Sequence, residues 1–454
     1  MMIIYFLLDI VYLLLFVLMT PLVLYRMIRQ GRYRRGWKQR FGFVPRRYSN
    51  QPCIWIHAVS MGEINASATL VEQLHRILPQ YEIVISSTTD TGFSRAQKLY
   101  SRDHRVFFFP FDFSWAVKNA FSRLRPRLCI LMELELWPNF ITLARQLSVA
   151  VIIANGRISS SKGFPRYRLI APLVRPMFRR LALVLSQDET YAQRFRFLGV
   201  PAEKLQVVGS LKYDTAEITD KVAGADELAR QLRLSPERMI WVAGSTGPGE
   251  EQMILEAYEQ LIRSKALKKL RLVLVPRKPE RFDEMARLIE SRCHRLLRYS
   301  RVKSGHYQTT DDDSTAVILG DTMGDLRKFY SLATVVFVGR SLVPLGGSDM
   351  VEAAALAKPV VVGPYTENFT ESIKALVAAG GLEVVADRGQ LAEITYKLLQ
   401  NESTAQAQGR RAQQVIINQR GATRRTVEAV VKLLGYRMPL SDAAIATPAL
   451  SPKP

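Results

Sequence analysis

Apolar positions along this chain follow two rhythms. From Cys53 onward, short β-branched runs recur at 54–59, 82–87, 105–109, 128–133, 149–154, 183–187 and 205–209. Between them lie amphipathic stretches of helix length, such as 64–78, 115–123 and 188–198, in which apolar residues return every three or four positions. Apolar strands separated by helices predict a parallel sheet covered on both faces. A polar stretch around 213–237, ending in Leu234-Ser235-Pro236-Glu237, interrupts the pattern before strands restart at 239–244, 271–275, 316–319, 334–338, 359–362 and 383–386. The expected fold is therefore α/β, with two Rossmann-like parallel-sheet domains facing a cleft lined by the carboxyl ends of their strands. Helical periodicity over 404–434 closes the second domain, and the unpatterned tail is expected to be disordered.

Residues 1–25 are almost wholly apolar, with Asp9 the only charge, and long enough to cross a hydrocarbon layer of roughly 30 Å. No basic segment precedes them and no small-residue cleavage site follows, so a retained membrane anchor helix is expected rather than a signal peptide. Arg26, Arg29, Arg32, Arg34, Arg35, Lys38, Arg40, Arg46 and Arg47 come next with no acidic residue among them. The positive-inside rule then puts the body on the cytoplasmic side of the membrane. Asp9 also suits a helix lying in the interface. The resulting division is an anchor at 1–28, a first domain at 29–220, a second at 221–436 and a tail at 437–454.

Charge narrows the class of partner. Lysine and arginine outnumber aspartate and glutamate by 63 to 41, a net +22 that points to a polyanion. Near an anionic leaflet each basic residue contributes about 1 kcal/mol of attraction. Charge alone leaves nucleic acid, anionic lipid and phosphorylated substrates open. Cys53, Cys129 and Cys293 are far apart in apolar surroundings and are expected to be buried thiols in a reducing compartment. The five histidines never fall at zinc-ligand spacing, so no structural metal is expected.

Candidate chemistry sits at the strand ends. The first strand runs into Ser60-Met61-Gly62-Glu63, where a carboxylate at a strand-to-helix turn either takes a proton from an attacking hydroxyl or stabilises the helix start. The helix terminus should favour its ionised form. In Met132-Glu133-Leu134-Glu135-Leu136-Trp137-Pro138-Asn139, two acids spaced by one residue in an extended run point the same way, toward a sugar hydroxyl, a cation or a helix start. In the second domain, Gly244-Ser245-Thr246-Gly247-Pro248-Gly249 is a glycine-rich turn with backbone N–H groups for a phosphate. Arg277, after Pro276, offers a planar guanidinium to the same kind of group. Met323-Gly324-Asp325 and Asp349-Met350-Val351-Glu352 end further strands. Glu352 suits both hydroxyls of a ribose or a helix cap.

Taken in order, these residues resemble the 3-deoxy-D-manno-octulosonic acid (Kdo) transferase family of lipopolysaccharide synthesis. The resemblance runs from Arg40-Phe41-Gly42 to about residue 375, through Ser60 to Glu63, Glu133 to Asn139, Asn155-Gly156-Arg157, Ser186-Gln187-Asp188, Gly209 to Asp214, Pro276-Arg277, Asp321 to Gly324 and Gly363-Pro364. It implies the two-Rossmann GT-B glycosyltransferase fold and inverting transfer of Kdo from CMP-Kdo to a lipid A precursor, lipid IVA. By position Glu63 resembles the general base, and Glu133 and Lys212 resemble groups that stabilise the transition state. Pro276, Arg277, Met323, Gly324, Asp325 and Asp349 to Glu352 resemble the CMP contacts. The implied partners are donor, acceptor and an anionic membrane surface, with no nucleic acid and no metal, because CMP carries one phosphate that cations and helix dipoles offset.

The chain departs from the family pattern in its donor loops. A usual Gly-Gly-His-Asn-Pro-Leu-Glu is Gly346-Gly347-Ser348-Asp349-Met350-Val351-Glu352, and Ser-Thr-His is Ser245-Thr246-Gly247. His-Pro-Arg is Val275-Pro276-Arg277, and Gly-Gly-Ser-Leu is Gly339-Arg340-Ser341-Leu342. A GT-B enzyme using another nucleotide sugar and a non-catalytic protein that binds lipid phosphates are the rival readings.

Overall fold

A computed structural model describes residues 2–30, 34–159, 163–219, 221–234 and 238–437. Arg32, Ser235-Pro236-Glu237 and the tail from 438 lie outside the described residues. Among the described residues, fourteen strands form two seven-stranded sheets, and every neighbouring pair is parallel. The first contains β1 Cys53–His57, β2 Glu82–Ser87, β3 Arg105–Phe108, β4 Pro126–Met132, β5 Ala150–Gly156, β6 Leu183–Ser186 and β7 Leu205–Val207, in the order β3-β2-β1-β4-β5-β6-β7. The second contains β8 Ile240–Thr246, β9 Arg271–Pro276, β10 Leu296–Arg298, β11 Val317–Leu319, β12 Val335–Val338, β13 Val360–Val362 and β14 Leu382–Val384, in the order β10-β11-β9-β8-β12-β13-β14. The strand order reverses between β1 and β4 and between β8 and β12, the points beyond which open parallel sheets bind ligands.

The central strands are buried on both faces because helices cover both. In the first unit one apolar cluster gathers Trp55, Phe107, Phe121 and Phe140 on one side of the sheet, and another gathers Ile54, Leu70, Ile130 and Leu185 on the other. The second unit has its own core around Trp241, Leu274 and Phe337. Strand positions match the sequence expectation except β10, which the apolar pattern misses. It is three residues long, lies at a sheet edge and buries only Leu297 fully, so it has no apolar run to see.

Two compact units emerge, one running to Thr215 and resuming at Arg420, the other Ala216–Gln419. The last helix, Ala422–Leu433, thus belongs with the first unit, although the sequence placed it in a domain reaching 436. Its apolar face joins the core cluster of Ile54 and Leu70 through Val427, Val430 and Val431. The helix start is fixed by Asp214, whose Oδ1 accepts from the Gly421 N–H at 2.6 Å and Oδ2 from the Thr423 N–H at 2.5 Å. Cys293 is exposed, not buried like Cys53 and Cys129. It follows the end of helix Phe282–Ser291 with φ +61°, where the chain turns outward.

The N-terminal helix, Met2–Gln30, carries Leu8–Arg29, long and apolar enough to cross a membrane. Asp9 is not idle within it. Its carboxylate accepts from the Ser114 N–H at 2.8 Å, the Ser114 hydroxyl at 2.5 Å and the Asn139 amide at 3.1 Å. Tyr12 donates to Asp112 at 3.0 Å, and Phe16 sits among Trp37, Phe41, Phe111 and Phe113 with ring centroids 5.9–6.4 Å away. The helix is bolted to the first unit at its polar positions.

Replacing Asp214 with alanine strands two helix-start N–H groups and is expected to destabilise the protein by about 1–3 kcal/mol, read as a lower denaturation midpoint.

Candidate active site

The first switch point delivers two carboxylates. β1 ends at His57 and leads through Ala58-Val59-Ser60 into helix Met61–Ala66, while β4 ends at Met132 and leads to Glu133. The two strands are direct neighbours, so both acids emerge from the same sheet edge. Ser60 caps the helix by accepting from the Glu63 N–H at 3.3 Å, and the Glu63 carboxylate accepts from the Ser60 hydroxyl and the Val59 N–H, each at 2.9 Å. These bonds across the helix start fix the side chain. Burial, and then the neighbouring Glu133, push the half-buried Glu63 carboxyl up to about 7. The sequence-based expectation that the helix start favours the ionised form is corrected: desolvation and a like charge outweigh the donors there.

Glu133 also departs from expectation. It is not part of an extended run but adopts φ +55°, its N–H donating to Ala154 O at 3.0 Å. Spacing by two in an extended run therefore does not describe Glu133 and Glu135, yet both carboxylates act on Glu63. Glu135 accepts from the Trp137 indole at 3.1 Å, and burial, with Glu133 adding, raises its carboxyl. Pro138 occupies the first turn of helix Pro138–Gln146 as its ring geometry predicts.

Four matched stretches meet at this edge. Asn155, at φ +56°, accepts from the Leu211 N–H through Oδ1 at 3.1 Å and from the Gln187 amide through its carbonyl at 3.0 Å. Arg157 N–H approaches Glu133 O at 3.5 Å. Helix Leu211–Thr215, which carries Lys212, packs beside helix Met61–Ala66, which carries Glu63. The structure therefore brings Glu63, Glu133 and Lys212 onto neighbouring loops of one unit.

The second switch point is organised by a residue the sequence reading passed over. Glu250 is fully buried, and its carboxylate accepts from the N–H groups of Gly247 at 2.6 Å, Ser341 at 3.1 Å and Leu342 at 3.4 Å, and from that of Arg340. It ties the loop after β8 to the loop after β12. The Gly247 N–H, expected to serve a phosphate, is thereby spent on the protein itself. Only a buried acid following a glycine turn could have signalled this, and the sequence shows it as an ordinary first-turn glutamate. Gly339 is required there, since a Cβ on it would lie 2.6 Å from Glu250 Oε1.

The other donor-loop candidates divide in two. Arg277 is exposed beyond buried Pro276 and reaches Ser348 Oγ at 3.4 Å; crowding and nearby Arg340 lower its basicity while Asp349 opposes them. Met323 is exposed, and Gly324, at φ +92°, has open space where a side chain would be. Glu352 reaches solvent at the start of helix Val351–Ala355, with crowding, and then Asp349, raising its carboxyl. These groups are accessible at strand ends. Asp325 is not: it is buried and accepts from Lys303 at 2.6 Å, Thr322 at 2.8 Å and Lys328 at 2.9 Å, bonds that outweigh burial and hold it below the usual carboxylate range. Met350 and Val351 have buried side chains, and Asp349 accepts from the Val351 N–H at 3.0 Å. Of this tetrapeptide only Glu352 presents its side chain outward. Among the described residues no group of three or more His, Cys, Asp or Glu is arranged to hold a metal ion.

Two departures from the family pattern meet in space. A Cβ on Gly247 would lie 2.7 Å from Leu345 Cδ1 and 3.0 Å from Arg340 Cγ. Arg340 itself adopts φ +60°, a conformation natural to glycine, and its guanidinium donates to Leu345 O at 2.8 Å. Leu345 and Arg340 together occupy the space that a side chain at 247 would need, so the two changes are coupled. Gly247→His alone is expected to cost about 1–3 kcal/mol of stability by overpacking, and Arg340→Gly in the same chain to recover part of it. A double-mutant cycle in urea measures the coupling.

Comparison with known proteins agrees with this arrangement. Residues 35–215 match the family model for 3-deoxy-D-manno-octulosonic-acid transferase (kdotransferase). The chain is 33% identical to a 3-deoxy-D-manno-octulosonic acid transferase of Haemophilus influenzae over 88% of its own length and 92% of the relative's. It is 31% identical to the enzyme of that name from Bordetella pertussis over 92% and 97%. In fold it is similar to a glycosyltransferase of Rickettsia africae, with a TM-score of 0.57 at 13% identity over 85% of this chain and 99% of that one. Two parallel sheets with switch-point carboxylates, joined to these relationships, place the chain in the 3-deoxy-D-manno-octulosonic acid transferase family, as a glycosyltransferase of the GT-B fold.

Proposed function

We propose that the protein transfers Kdo from CMP-Kdo to a lipid A precursor of the lipid IVA type, by a single inverting displacement at the cytoplasmic face of the inner membrane. Glu63 carries the reading. A carboxylate held by Val59 and Ser60 and raised to about 7 is poised between proton acceptor and donor at cellular pH. In the reaction the acceptor hydroxyl oxygen bonds to the anomeric carbon, its proton passes to Glu63, and the bond from that carbon to the CMP phosphate breaks with the electron pair leaving on CMP. Glu133 keeps Glu63 basic, and Lys212 offsets charge as it develops. Arg277, Met323, Gly324 and Glu352 are the groups positioned for CMP, with Arg277 on the phosphate and Glu352 on the ribose. Pro276, Asp325, Asp349, Met350 and Val351 shape those loops. The anchor helix and the arginines that follow it support the membrane assignment.

Incubating purified protein with tetraacylated lipid A precursor and CMP-Kdo generated in situ is expected to add the mass of one or more Kdo units in mass spectrometry. An acceptor of unchanged mass overturns the reading. The altered donor loops favour one alternative, a different nucleotide sugar, and competition by UDP or GDP in place of CMP would show it.

Because Glu63 must be ionised to accept a proton, kcat/KM should fall as pH drops through about 7. Glu133→Gln removes the like charge and is expected to move that limb to lower pH. Glu63→Gln should lower kcat by about 10²- to 10⁴-fold without a matching loss of stability.

A further inference from the structure

An apolar groove of about 500 Å³ lies between the N-terminal helix and the first unit, lined by Leu15, Phe16, Met19, Trp37, Phe111 and Trp137 among others. It differs from the lipid-facing side of the helix, because protein forms both of its walls. Its position is set by the polar bolts: Tyr12 donates to Asp112, and Asp112 in turn accepts from the N–H groups of Asn139 at 2.9 Å and Phe140 at 2.8 Å. The helix is thereby fastened to the start of helix Pro138–Gln146, directly after the loop that carries Glu133, Glu135 and Trp137. Asp9 reinforces the attachment through Ser114 and Asn139.

The groove ends beside the catalytic turn. Thr88 and Thr89 belong to its lining, and the Thr89 hydroxyl donates to Val59 O at 2.8 Å while the Val59 N–H donates to Glu63 at 2.9 Å. A second recess, of about 360 Å³, adjoins it across Arg40 and Phe108 and is lined by Arg34, Arg35, Asp90, Phe93, Ser94 and Phe108. Arg40 stacks over Phe108 with its guanidinium 4.3 Å from the ring centroid and donates to Thr88 O at 2.8 Å, forming the shared wall. Arg40 also lies 4.0 Å from Asp90, which offsets the one acid of the recess. An apolar trough linked to Glu63 through Thr89 and Val59, with a basic recess adjoining it, matches an amphiphile with an acyl chain and an anionic group.

We infer that the groove between the N-terminal helix and the 109–113 and 137 segments binds an acyl chain of the acceptor, with the Arg34–Arg35 recess taking the acceptor's phosphate. The inference rests on the proposed reading of a lipid acceptor. It commits the groove to acceptor rather than to bulk membrane lipid, because Thr89 in its lining is hydrogen-bonded to the Val59 turn that holds Glu63, and a bulk lipid gains nothing from that address. The N-terminal helix then has two tasks, attachment to the membrane and formation of one wall of the acceptor site.

The test uses the full chain in detergent micelles, where delivery to a membrane no longer limits the rate. Wild-type turnover of the tetraacylated acceptor checks the underlying reading by itself. Met19→Trp and Leu15→Trp, which fill the groove from its exposed side, are expected to raise KM for that acceptor about tenfold or more. They should leave kcat/KM unchanged for the fully deacylated disaccharide bisphosphate. An acceptor with a photoreactive group at the end of an acyl chain should label the peptides containing Met19, Phe111 or Trp137, and excess unlabelled acceptor should suppress that labelling. Unchanged KM in both variants, equal losses with the deacylated acceptor, or labelling by a photoreactive phospholipid that acceptor fails to displace would each overturn the assignment.

Discussion

Buried carboxylates answered by main-chain N–H groups hold this protein's loops in place. A carboxylate taken out of water costs several kcal/mol unless donors replace the lost hydration, and the cheapest local donors are the free N–H groups of turns and helix starts. Asp112 secures the start of helix Pro138–Gln146, Asp214 that of helix Ala422–Leu433, and Glu250 joins the loops after β8 and β12. Glu63 belongs to the same class, with Val59 and Ser60 as its donors. Each acid converts a strand-end loop, otherwise the softest part of a parallel-sheet protein, into a fixed element.

What separates Glu63 from the others is how much of its hydrogen-bonding capacity the protein uses. Glu250 is fully buried and takes four N–H groups, leaving nothing for a ligand, although burial raises its carboxyl too. Asp112 is likewise raised, to about 7, and likewise enclosed. A perturbed carboxyl is therefore not by itself a sign of catalysis here. Glu63 is partly open to solvent and lies at the strand reversal with Glu133 against it, which combines a shifted proton affinity with access. The donor loops follow the same logic, because Asp325 is consumed by two lysines and a threonine while Arg277 and Glu352 remain outward.

The sequence made most of the strands legible because each one buried on both faces must be apolar throughout. It missed β10, where three edge residues leave no such trace. It located Glu63, Glu133 and Lys212 in three separate stretches, and the resemblance to the Kdo transferases tied them together. It read Glu133 as part of an extended run because a left-handed residue looks the same on paper as an extended one. It also assigned the Gly247 N–H to a ligand, since nothing local shows that Glu250 turns back to take it. The Gly247 and Arg340 departures looked independent for the same reason: they are 93 positions apart in the chain and share one volume in the fold.

By itself the sequence determined the parallel α/β class, the two-sheet organisation, the apolar N-terminal helix and the family, because these depend on hydrophobic period and collinear motifs that local residues carry. Tertiary structure alone decided where the last helix packs, which acids stay available, how Glu63 acquires its affinity for a proton and why Asp9 sits in an apolar helix. Those outcomes depend on which donor, charge or wall a distant segment brings to a side chain. Desolvation and hydrogen bonding are properties of a place in space, and a chain position acquires them only on folding.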